Sequence, residues 1–213
     1  MRFRWEENSF GRSGLVAIPE KQDTTPVFAE LWIDQVVEAV APDRIAIAAA
    51  LLFHECVAGD FRVTDPVSVE VARAIEALDP SARLRVDAVH TRPQTLPADT
   101  AVLELGREEA HRSVSNQRGA QRNFALSVLR SDRYSGGLLS MDGLSIASNA
   151  WLHSQRQDES ALVTWLPYLA VAVLLAQDLG AGAISLPAGT ISDSSDEAGR
   201  VRALCNAGGL ALS

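Results

Sequence analysis

The 213-residue chain is long enough for one large domain or two small ones, and 47% of its residues are apolar, so a core can form without metals or disulfides. Its formal net charge of −8 argues against nucleic acid as the default partner of the whole surface. The two cysteines, Cys56 and Cys205, sit in no CxxC pair and make no disulfide framework, which points to a reducing, cytoplasmic compartment.

Residues 1–7 lack the apolar stretch of a signal peptide, so none is expected. Lys21 is the only lysine among many arginines, a usage that fits a high-GC bacterial genome. Residues 2–5 and 15–18 read as strands joined by a turn at Gly11 and Gly14. Thr25 as a cap and Pro26 at the first helical position then start a helix. Val27, Phe28, Leu31, Val36 and Val40 recur along it at near-helical spacing as far as Pro42. Residues 45–57 are continuously apolar except for His54 and Glu55. The run Ala48-Ala49-Ala50 favours helix while Ile45 and Ile47 alternate as in a strand, so periodicity leaves both open. Thr64-Asp65-Pro66 gives a second cap-plus-proline start, for a helix over 67–78 that Asp79-Pro80 ends. Charged and apolar residues alternate over 83–89, the pattern of a half-buried strand, and residues 100–105 make another.

Residues 106–122 are polar and mark the one place where the chain could divide; a single domain over 1–213 is the expected arrangement. Phe124-Ala125-Leu126-Ser127-Val128 reads as a strand. Residues 138–140 and 144–148 flank Met141-Asp142-Gly143, and Asp-Gly is a strong hairpin signal. Between 165 and 179 only Tyr168, Gln177 and Asp178 carry polar groups, Trp165 being counted as apolar. A surface helix would show a polar face, so this one is expected to be buried, to begin or kink at Pro167 and to stop at Gly180. It is too short to span a membrane, which takes about 20 apolar residues. The apolar run 183–186 follows as a strand, completing half of a βαβ unit. Ser194 and Glu197 form an S-x-x-E capping box for a helix through Asn206, closed by Gly208 and Gly209, and Leu210-Ala211-Leu212 starts a strand. The expected fold is therefore α/β or α+β, a mixed sheet with flanking helices and a buried apolar helix near 165–179.

Four stretches could carry chemistry. Arg107, Arg112, Arg118, Arg122, Arg130 and Arg133 make a locally basic segment in an acidic chain. Arginine forks suit carboxylate or phosphate oxygens, and of these Arg118, Arg122 and Arg130 are the candidate ligand contacts. A solvated loop with ordinary ion pairs explains the same residues. The second stretch, 187–195, lies after a strand and before a capped helix. There Gly189, Thr190, Ser192 and Ser194 could meet a ligand at the strands' carboxyl ends, or serve only as a capped loop. The third, His54-Glu55-Cys56, has no partner at metal-ligand spacing and reads as a partly buried histidine and a core cysteine. No G-x-S-x-G elbow singles out a serine.

The fourth is Ser135-Gly136-Gly137-Leu138-Leu139-Ser140. It resembles the SGGxDS phosphate loop of the ATP pyrophosphatases, the group that includes the 7-cyano-7-deazaguanine synthases. In that family the glycines let backbone N–H groups approach the pyrophosphate. The resemblance covers six residues and departs at the acid, which is Leu139 here; a hairpin turn explains the same glycines.

Three readings follow. The leading one is a domain binding a small anionic or phosphorylated molecule between the 187–195 loop and the arginines, with no reaction, cofactor or metal indicated. The second is a non-catalytic interaction protein: an immunity-type inhibitor, an adaptor or a subunit of a complex, with oligomerisation compatible. The third is a degenerate relative of the ATP pyrophosphatases. No membrane contact is expected.

Overall fold

A computed structural model describes residues 1–7, 10–38, 40–79, 81, 83–90, 101–107, 122–155, 160–192 and 195–213. Among these, eleven strands join one mixed sheet: β1 (Arg2–Glu7), β2 (Ser13–Ile18), β3 (Glu30–Ile33), β4 (Asp60–Ser68), β5 (Arg85–His90), β6 (Ala101–Arg107), β7 (Asn123–Arg130), β8 (Gly137–Leu139), β9 (Gly143–Ser148), β10 (Ala181–Ser185) and β11 (Ala211–Leu212). The order across the sheet is β11-β10-β6-β7-β9-β3-β2-β1-β4-β5, with β8 paired to β9. Strands β11, β10, β6, β7 and β9 run parallel. The pairs β9–β3, β3–β2 and β2–β1 are antiparallel, and β1–β4 and β4–β5 are parallel again. Strands from both sides of the polar segment 106–122 thus belong to one sheet, while residues 108–121 of that segment lie outside the described residues.

The helices are α1 (Pro42–Phe53), α2 (Val69–Glu76), α3 (Ala150–His153), α4 (Ala161–Leu175) and α5 (Asp196–Ala207). Of the fifteen residues of α4, twelve are buried, including Trp165 through Leu175, as a helix apolar nearly all round must be. It starts earlier than the apolar run, at Ser160, whose Oγ accepts the Val163 N–H at 3.3 Å, and Pro167 lies inside it. Gly180, at φ 61°, turns the chain into β10. Of α1's twelve residues nine are buried, and its alanines fill the closest space.

The contacts between helices show how the sheet is shaped. Helix α1 packs on α4, and α2, beside β4 and β5, touches α5, which lies against β11. Seven strand spacings separate β10 from β4 in the order, about 34 Å if the sheet were flat. Two helices about 10 Å across meet over that distance only if the sheet curls. It curls around α1 and α4, and α2 and α5 close over them. The strands alternate accordingly: Phe124, Leu126 and Val128 of β7 are buried on the concave side, while Ala125 and Ser127 are half-exposed on the convex one.

Three sequence expectations are corrected. No helix starts at Thr25-Pro26; residues 30–33 are β3, with Leu31 and Ile33 buried and paired to Leu15 and Ser13. Ladder hydrogen bonds and burial of those two side chains outweigh a local cap signal, and Val27, part of the apparent apolar stripe, is 89% exposed. The proline start belongs to Pro42, which opens α1 instead of ending a helix. Thr64-Asp65-Pro66 does not open α2 either. Strand β4 continues through a register shift between Arg62 and Val67, where a proline is tolerated, and Ser68 caps α2 by accepting the Val71 N–H. The alternating segment before His90 is a strand, but an edge strand in which only Val86 is half-buried. None of the helices described is long and apolar enough to cross a membrane.

Candidate ligand-binding cleft

The residues singled out from sequence do not converge. Arg118 and Ser194 lie outside the described residues. Arg122 precedes β7 and Arg130 ends it, so eight strand residues, about 26 Å, separate them. Arg122 donates to the Met141 carbonyl at 3.4 Å and lies over the Phe124 ring. Arg130 makes a two-pronged contact with Asp132, at 3.0 and 2.7 Å, and stacks 4.1 Å over Trp151. Its fork is therefore already engaged by a carboxylate. In the loop after β10, Gly189 sits at φ 83° and is exposed, Thr190 is buried in a turn with its N–H on the Pro187 carbonyl, and Ser192 is exposed. The capping serine of α5 is Ser195, whose Oγ accepts the Ala198 N–H at 3.4 Å.

Residues 135–140 form a turn and one arm of the β8–β9 hairpin. Gly136 is at φ 74°, and its N–H donates to Asp34 Oδ2 at 2.5 Å. The backbone donor that a phosphate would need is held by an internal carboxylate.

A cleft of about 440 Å³ opens elsewhere, where the helices closing the curled sheet come together. Leu51 and His54 come from the end of α1, Leu78 and Asp79 from the end of α2, Leu166 from the first half of α4, and Glu197, Arg200 and Val201 from the first half of α5. The turn His54–Cys56, the following Val57 and Ala58, and Arg83 complete the lining. Two helix C-termini and the N-terminal halves of two others meet here, so their dipoles oppose one another and the side chains set the charge.

The wall 54–58 is pinned from the N-terminal strands. The Thr24 N–H donates to the Cys56 carbonyl at 2.9 Å, and Asp23 accepts the Ala58 N–H at 3.0 Å and the Met1 ammonium at 2.8 Å. Burial works against ionisation of Asp23, but the Ala58 N–H, the Met1 ammonium and the Glu20 N–H outweigh it and hold the carboxyl below its usual range. His54 donates Nδ1–H to the Ala50 carbonyl at 2.9 Å, which fixes a proton on Nδ1 and leaves Nε2 for other work.

Asp79 contributes structure to the rim. It accepts the Ser81 hydroxyl and the N–H groups of Ser81, Arg83 and Leu84, and the Ser81 contacts lead in lowering its carboxyl to about 2. Arg83 donates Nε to Ser81 Oγ at 3.0 Å, leaving its two terminal nitrogens. Arg200 makes no hydrogen bond or ion pair among the described residues, although Asp196 and Glu197 stand four and three positions before it. Glu197 instead accepts the Ser160 hydroxyl at 3.3 Å. Sequence reasoning assigned His54 and Cys56 a packing role and passed over Arg83 and Arg200. Acids at i−3 and i−4 normally mark a neutralised arginine.

Among the described residues no three His, Cys, Asp or Glu side chains group closely enough to hold a metal ion. The chain matches no protein-family model, no curated protein and no solved structure.

Proposed function

We propose that this chain is a small-molecule-binding α/β domain whose ligand carries an anionic group and sits in the cleft between the ends of α1, α2, α4 and α5. The observation that carries the reading is Arg200: half-buried, on the cleft wall, and unpaired among the described residues. A guanidinium in a recess of lowered dielectric attracts a carboxylate or phosphate more strongly than one in open water. Arg83 supplies a second fork in the same lining; among the described residues it makes no ion pair, and the Asp79 oxygens accept backbone and hydroxyl donors. His54 and Cys56 also line the cleft, without assigning a reaction. Cysteine usage supports the cytoplasmic setting, since neither Cys56 nor Cys205 is in a disulfide.

Thermal-shift screening against carboxylates, phosphates, sugar phosphates and nucleotides tests this. At least one anion class should raise the melting temperature of the wild type and leave Arg200→Met unmoved. Absence of any stabilisation by anions ends the reading.

The interaction-protein reading has one observation of its own. The β8–β9 hairpin carries Leu138, Leu139 and Met141 at 70%, 67% and 88% exposure. Light scattering on the wild type and on a Leu138→Ser/Met141→Ser variant decides whether that patch associates. The pyrophosphatase reading is weakened by the Asp34–Gly136 hydrogen bond, which occupies the glycine N–H the resemblance needs.

A further inference from the structure

Resting on the interaction reading of the exposed hairpin, and independent of the cleft, we infer that β8 is the contact edge of a two-fold dimer, in which it pairs antiparallel with β8 of a second copy. The register of the hairpin decides which way its backbone faces. Gly137, Leu138 and Leu139 lie opposite Ile146, Ser145 and Leu144. The flanking bonds run from the Ala147 N–H to the Gly136 carbonyl and from the Ser140 N–H to the Gly143 carbonyl. Hydrogen-bonded and unbonded pairs alternate along an antiparallel ladder, so Leu138 turns its N–H and carbonyl to β9, while Gly137 and Leu139 turn theirs outward. Among the described residues no other strand pairs with β8, and neither Gly137 nor Leu139 makes a further hydrogen bond. Two N–H groups and two carbonyls thus stand unpaired along a strand exposed over its whole length, an edge that can take a strand from another chain.

The edge is complementary to itself. About a two-fold axis at Leu138, Gly137 of each chain stands opposite Leu139 of the other, which makes four backbone hydrogen bonds and uses every outward group. The same operation sets the two Leu138 side chains against each other at an unbonded pair, about 4.5 Å between Cα atoms. Leu139 then lies beside a glycine, where no side chain obstructs it. Antiparallel pairing also brings the tip of each hairpin to the base of the other. Asp142 stands at the tip and Arg133 at the base, both exposed and neither in an ion pair among the described residues. In a chain of net charge −8, whose copies repel at longer range, those two opposite charges give a local attraction. The Asp34 carboxylate on the Gly136 N–H already holds the hairpin to the sheet rim, so little order is lost on pairing. Standard interfaces bury about 800 Å² per partner. A three-residue strand covers less, so the dimer is weak and its share rises with concentration.

Sedimentation equilibrium of the full chain from about 10 µM to about 1 mM should show monomer passing to dimer and stopping there. Over the same range, hydrogen exchange at the Gly137 and Leu139 amides should slow with concentration, while the Leu138 amide, bonded to β9 in the monomer, should not change. Leu138→Lys and Leu138→Glu should each weaken the dimer about tenfold or more, because like charges then face each other across the axis, and an equimolar mixture of the two should recover it. Leu138 is 70% exposed, so both variants should melt as the wild type does. Monomer at every concentration removes the inference and the patch reading beneath it. Association that runs past a dimer, that leaves the Gly137 and Leu139 amides unprotected, or that the mixture fails to recover overturns the β8 pairing; the Leu138→Ser/Met141→Ser variant then tells whether the patch still associates.

Discussion

The carboxylate of Asp34 accepts the Gly136 N–H at 2.5 Å and the Arg12 Nε at 2.8 Å, tying the end of β3 to the β8–β9 hairpin and to the β1–β2 turn. Arg12 in turn lies 4.3 Å over the Trp32 ring, so one acid holds three loops on the same rim of the sheet. The Gly136 N–H, opposed by burial and assisted by Arg12, keeps the Asp34 carboxyl below the usual range. Its contribution to stability is complete above the unfolded value near 3.9 and is lost as pH falls through the lower folded value. Asp34→Asn should destabilise by about 2 kcal/mol at pH 7 in urea unfolding. It should also lose less stability than the wild type between pH 5 and pH 2. Equal acid sensitivity in the two proteins would mean that Asp34 is not the group responsible.

Gly208 ends α5 against α1. A Cβ there would overlap Cδ1 of Ile47, which is fully buried and cannot swing aside. Gly208→Ala should cost about 1–3 kcal/mol as overpacking, and Ile47→Val about 1 kcal/mol as a lost methyl. Because the valine removes the obstructing carbon, the double variant should be less destabilised than the sum of the two by about 1 kcal/mol or more. Additive effects in a double-mutant cycle would contradict the α1–α5 contact.

How much of this could be read from the chain depends on how local each cause is. The burial of α4 is written in its own composition, and the hairpin in Asp142-Gly143, because both signals concern neighbours in sequence. Strand β3 was hidden because Leu31 and Ile33 are buried where β3 pairs with β2 inside the sheet, a long-range arrangement that no local pattern reveals. Of the three arginines expected to act together, Arg118 lies outside the described residues, and Arg122 and Arg130 stand at opposite ends of a strand whose length keeps them apart. His54, Arg83 and Arg200 belong to three separate segments that meet only when the sheet curls far enough for α2 to touch α5.

Ala88 is the one non-glycine residue with positive φ among the described residues, at 64°, in the exposed edge strand β5. Its Cβ is strained there, and its N–H turns back to Asp87. Ala88→Gly should raise stability by up to about 1 kcal/mol, less the extra entropy of a glycine in the unfolded chain. A measured loss larger than that would show that β5 does not hold this conformation.

The two thiols should differ sharply in reactivity. Burial pushes Cys205 up to about 12, against the pull of Arg44, so almost no thiolate forms in the folded protein. Cys56 is half-buried at the cleft. Alkylation at pH 8 should label Cys56 alone in the native state and both residues in urea, and an anion that stabilises the protein in the thermal-shift screen should slow the native reaction. Fast labelling of Cys205 without denaturant would contradict the packing of α5 on α1.

The most direct test of the cleft as the binding site is a ¹H–¹⁵N NMR titration of the wild type, at pH 7, with an anion that stabilises it in the thermal-shift screen. Resonances of residues 54–58 and 197–201, with the Arg200 side chain, should shift together and saturate. Those of Gly189, Thr190, Ser192 and Arg130 should stay in place. Shifts confined to the latter set, or none at all, would contradict the account.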